Sequence, residues 1–118
     1  MDIRSFQKLV VETVEAPLYA YLQEEPECGF SKRDIKKCKN LMFSYLGKLK
    51  KITAVTDEKI LKQVKKTVLA LNKLNERTDY CLLETDEREA LWEIFQNSAV
   101  ACGLRDTDGD VTEEWREW

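Results

Sequence analysis

Only two prolines and four glycines interrupt 118 residues, and apolar side chains between them recur at spacings of three and four. That period belongs to amphipathic helices. A chain with so few turn residues has few places to reverse, so the expected fold is all-α: a four-helix-bundle-like single domain over 1–118. The clearest segment starts at Ser31, where the hydroxyl and Asp34 form a close variant of the capping box. Its apolar row, Ile35, Cys38, Leu41, Met42, Tyr45, Leu46, Leu49 and Ile52, occupies about 140° of the helix circumference. The other side carries Lys32, Arg33, Lys36, Lys37, Lys39, Lys48, Lys50 and Lys51.

The remaining segments follow the same logic. Asp2 is a candidate cap for a first helix, with Ile3, Phe6, Leu9, Val10 and Val14 at helical spacing. Pro17 removes a backbone donor and predicts a kink, after which Leu18, Tyr21 and Leu22 continue the apolar face. Thr56 or Asp57 caps the next helix, whose inward row is Ile60, Leu61, Val64, Val68, Leu71 and Leu74. The short Thr53–Val55 connection makes the two lysine-rich helices an antiparallel hairpin. Tyr80, Leu82 and Leu83 are expected to fold back onto the bundle. Asp86 and Glu89 then read as a capping box for a helix with Ala90, Leu91, Ile94, Phe95, Ser98, Ala99 and Cys102 inward. Gly103 suits its left-handed stop. A short C-terminal helix, capped by Asp110 and Glu113, is expected to present Trp115 and Trp118 as a structural lock.

Composition narrows the function classes. The sequence contains no histidine, which removes the usual general base near neutral pH and the commonest transition-metal ligand. The four cysteines, Cys28, Cys38, Cys81 and Cys102, include no close pair, so they are expected as free, mostly buried thiols without zinc. No apolar run reaches the ~20 residues of a membrane helix. The Met1–Phe6 start lacks the build of a signal peptide, and the expected compartment is the cytoplasm. These features imply a protein that is not an enzyme and needs no cofactor or metal. Asp106, Asp108 and Asp110 imitate the opening of a calcium loop, with Glu117 twelfth, but Val111 stands where that loop needs glycine. A solvated acidic turn is the expected state.

Charge is sharply segregated. Residues 1–30 carry two basic and six acidic side chains, 31–77 fourteen and four, and 78–118 three and twelve. Three arrangements fit: internal pairing, a basic surface for nucleic acid or another polyanion, and a protein partner of complementary charge. The preferred expectation is a non-catalytic interaction protein that binds a protein partner through an acidic surface made by Glu87, Glu93, Asp106, Asp108 and Asp110. In size and charge such a chain is similar to bacterial immunity proteins, which occlude a toxin; the likeness covers no motif. The alternative is a nucleic-acid- or polyanion-binding module using Lys36, Lys37, Phe43, Lys62 and Lys66. In that reading Phe43 and Leu69, which helical projection places among lysines, act as apolar anchors.

Overall fold

The Asp2 carboxylate accepts N–H bonds from Arg4 and Ser5 and opens α1 (Ile3–Val10). In the computed structural model, which describes all of residues 1–118, the helix does not break at Pro17. It widens instead into a π-helical stretch (Val11–Glu15) and resumes as α2 (Ala16–Glu24). A proline at this point lacks the N–H that an α-helix would direct to the Thr13 carbonyl, and its ring would strike that carbonyl. A locally wider helix relieves both conflicts, so the expected kink is a change of pitch. Val10, Val14 and Leu18 are fully buried along this stretch, whereas Leu9 and Tyr21 are exposed.

Next comes α3 (Lys32–Lys50), where the Ser31 N–H donates to Asp34 Oδ2 at 2.9 Å, as the capping pattern predicts. Ile35, Cys38, Met42, Tyr45, Leu46 and Leu49 are buried; Leu41 and Ile52 pack at the edge of the core. Lys59 Nζ closes the following loop by donating to the carbonyls of Thr53 and Ala54 at 2.8 and 3.1 Å. Thr56 is the cap of α4 (Asp57–Arg77), accepting from the Lys59 N–H. Asp57 has another role. Its carboxylate accepts the N–H groups of Arg105 and Asp106 at 2.8 and 3.0 Å, tying the chain after the last helix to the start of α4.

The final helix, α5 (Thr85–Cys102), begins before the expected Asp86–Glu89 box, with Glu84 as its N-cap. Leu82 and Leu83 are drawn into the core, and Asn75 Oδ1 takes the Leu83 N–H at 3.0 Å. That anchoring decides where the chain turns. Tyr80 does not fold back; it is exposed in a left-handed turn with Asp79. At the other end Gly103 adopts φ +118°, and the Leu104 N–H bonds the Ala99 carbonyl, a Schellman-type stop.

In place of a short C-terminal helix, Val111–Trp115 form a hydrogen-bonded turn. Asp110 Oδ1 accepts both the N–H and the hydroxyl of Thr112, and Asp110 Oδ2 pairs with Arg116 at 2.7 Å. The segment is held to the bundle by Asn72, which donates to the Trp115 carbonyl and accepts from the Glu117 N–H. Trp118 is buried and stacks against Phe95, with ring centroids 6.5 Å apart. The buried apolar side chains form one continuous cluster of 23 residues shared by all the helices. The fold is an all-helical bundle without strands. No helix is long and apolar enough to cross a membrane.

Candidate functional site

After Leu83 the chain turns outward at Glu84, Thr85 and Asp86, and the N-cap and first turn of α5 together carry three carboxylates, Glu84, Asp86 and Glu87. Acidic groups are favoured there by the unsatisfied N–H groups of the helix start. Opposite them, α2 contributes Pro17 and the exposed Tyr21, whose ring stacks on Phe30 with centroids 6.1 Å apart. Together with Cys81 these residues line a cleft of about 460 Å³. No lysine or arginine lines it.

Glu87 is the half-buried member of the group. Its carboxyl is held above the usual glutamate range, first by loss of water and then by the neighbouring charges of Asp86 and Glu84. The buried Cys38 thiol lies within its field: burial, followed by Glu87 and Glu15, pushes that thiol up to about 12. Gly29, at φ +97°, lets the loop carrying Phe30 press against the connection to α5. A Cβ on Gly29 would lie 3.0 Å from Cys81 Sγ.

The five acids expected to form one surface are distributed along α5 and the segment that follows it. Glu87 lies in the cleft at the start of α5, and Glu93 is exposed further along that helix. Asp106 is held near the start of α4 by its own N–H bond to Asp57, and Asp108 is exposed in the turn beyond it. Asp110 is consumed by Thr112 and Arg116. No group of three Cys, Asp or Glu side chains assumes a geometry able to hold a metal ion.

On the basic face, Lys36, Lys62 and Lys66 are exposed, and Lys37 is half-buried in a groove between α3 and α4. Phe43 departs from its expected place among the lysines. It is partly buried against the core, with the Lys39 ammonium 5.6 Å from its ring centre. Leu69 remains exposed. Internal charge pairing is sparse: the ion pairs are Lys8–Glu12, Lys39–Glu15 and Arg116–Asp110. Of the fourteen basic residues in 31–77, Lys39 alone has such a partner.

Glu84, Asp86, Tyr21 and Phe30 are the cleft residues that sequence reasoning missed as a site. The acidic run directly after Leu82–Leu83 was the available signal, but the periodicity placed Tyr21 on the buried face. No family model matches the chain, and no curated protein or solved structure matches it.

Proposed function

We propose that this chain is a non-catalytic interaction protein that receives a basic segment of a partner protein in the carboxylate-rimmed cleft between α2 and the start of α5. The observation that carries the reading is the half-buried Glu87 carboxyl, raised by desolvation and by its acidic neighbours with no cation on the cleft lining. A carboxylate taken partly out of water is costly until a counter-charge arrives. A lysine or arginine entering the cleft supplies that charge, and the exposed face of Tyr21 offers a cation–π contact beside it. Glu84 and Asp86 steer the approach.

The shifted cysteines and tyrosine support the non-catalytic part of the reading. Cys38 and Cys102 are both pushed up by burial, and Tyr45 is pushed up in the core. These groups are held protonated, the opposite of the activation that covalent catalysis requires. A toxin with a basic active site is one partner of the required chemistry. Immobilised chain should capture a protein from its source lysate, lose it in the Glu84→Lys/Glu87→Lys variant and keep it in the Lys66→Glu/Lys73→Glu variant. Capture that follows the lysines instead would overturn the proposal.

A further inference from the structure

The outer side of the α3–α4 hairpin carries a second unneutralised surface that shares no residue with the cleft. On α3, Lys37, Leu41, Ser44 and Lys48 follow one another at steps of four, three and four. On α4 the row is Lys62, Lys66, Ala70, Lys73 and Arg77, at steps of four, four, three and four. Both sequences of steps keep their residues on one helix face. One end of the seam between them is a groove of about 520 Å³ lined by Lys37, Asn40, Leu41, Ala70, Lys73 and Arg77. Toward the other end, the Lys66 ammonium stands beside Lys48 and draws the latter below the usual lysine range. None of these six cations takes part in an ion pair. Other lysines of the hairpin are engaged elsewhere: Lys39 with Glu15, Lys59 with two loop carbonyls, and Lys65 over the Trp115 ring.

We infer that this seam is a docking surface for a short acidic amphipathic helix of a partner protein. Charge complementarity requires an anion, and the floor selects its kind. Leu41 and Ala70 form a narrow aliphatic base, and Ala70 is small enough to let a third helix approach closely. Nothing in the two rows is aromatic, so bases would lack the stacking platforms that single-stranded nucleic acid uses. Arg77 is the seam's single guanidinium, and lysines hold phosphate only as point charges. The acidic surroundings also limit the occupant's length. Residues 1–30 have a net charge of −4 and residues 78–118 of −9, and their repulsion acts over roughly 10 Å at 0.1 M salt. A long polyanion running past the hairpin would meet that field. A helix matching the Lys62–Arg77 row spans about 22 Å and ends before it. Glutamates at i, i+4, i+7 and i+11 face the two cationic rows, and one apolar side chain rests on Leu41 and Ala70.

The test uses the full chain and a synthetic helical peptide with that glutamate pattern and a central leucine, followed by fluorescence anisotropy at about 0.1 M salt. Replacing the peptide's leucine by serine should weaken binding about tenfold, as loss of a central anchor does. The Lys37→Glu/Lys73→Glu variant should lose binding, and Lys48→Ser/Lys66→Ser, which leaves the groove intact, should weaken it. Glu84→Lys/Glu87→Lys should bind the peptide as the parent does, which separates this surface from the cleft. The inference is overturned if the parent fails to bind the peptide. It is equally overturned if a single-stranded oligonucleotide of equal charge binds as tightly, or if both lysine variants, folded by circular dichroism, bind unchanged.

Discussion

Glu87 and Asp57 are both carboxylates at helix starts, yet their environments push them in opposite directions. Desolvation and like charge raise Glu87, so the folded state holds its proton more tightly than the unfolded chain does. The stability tied to that proton is fully present below the unfolded-state pKa and is lost as pH rises through the folded-state value. Glu87→Gln should therefore raise the melting temperature at neutral pH, and the gain should vanish once the titration falls below the ordinary glutamate range. Asp57 is lowered, first by the Arg105 N–H and then by the Asp106 N–H. Its contribution is present at neutral pH and disappears as pH falls through its depressed value. Asp57→Asn should therefore destabilise at neutral pH and approach the parent in acid. In the core, Tyr45 Oη and Ser98 Oγ lie 2.8 Å apart, and Ser98 also donates to the Phe95 carbonyl. Tyr45→Phe leaves Ser98 with that second bond and should cost about 1 kcal/mol. Ser98→Ala strands a buried phenol and should cost about 1–3 kcal/mol; chemical denaturation compares the two directly.

Among the elements, the segment after α5 works as a strap without being a helix. Its attachments are Asp57 at the near end, Asn72 along its course and Trp118 against Phe95. Truncating a buried aromatic costs about 3–5 kcal/mol, so Trp118→Ala should lower the melting temperature clearly. Trp118→Phe should retain much more, since the indole N–H of Trp118 has no partner in the core and its loss leaves nothing unpaired. Periodicity made α3, α4 and most of α5 legible, because one buried stripe per helix is a local property of sequence. The turn at Glu84 was not legible, since it depends on Asn75 accepting from Leu83 eight residues away. The C-terminal turn failed for a related reason. Asp110 does accept the Thr112 N–H as a cap would, but Asn72 takes the Trp115 carbonyl and the Glu117 N–H, so the turn does not continue as a helix. Tyr21 lies at helical spacing from Leu18, yet its exposure is set by which helices reach it.

For the whole molecule, charge segregation seen in sequence survives folding with little internal pairing. That leaves two surfaces of opposite sign: a carboxylate cleft at the start of α5 and a lysine seam on the α3–α4 hairpin. Sequence identified the charges but not their grouping, because Glu87 and Asp106 lie on one acidic segment and are held at different places by Leu83 and Asp57. On the proposed reading both surfaces steer encounter with a partner, so association should slow as salt rises. The claim most open to a direct check is that Glu87 waits for a cation. A carbon-detected NMR titration of its side-chain carboxyl, with and without a short peptide of lysine and arginine, reads this at one atom. The account predicts a value above the ordinary glutamate range in the free protein and a fall when the peptide is added. An ordinary value in the free protein, unmoved by the peptide, would contradict it.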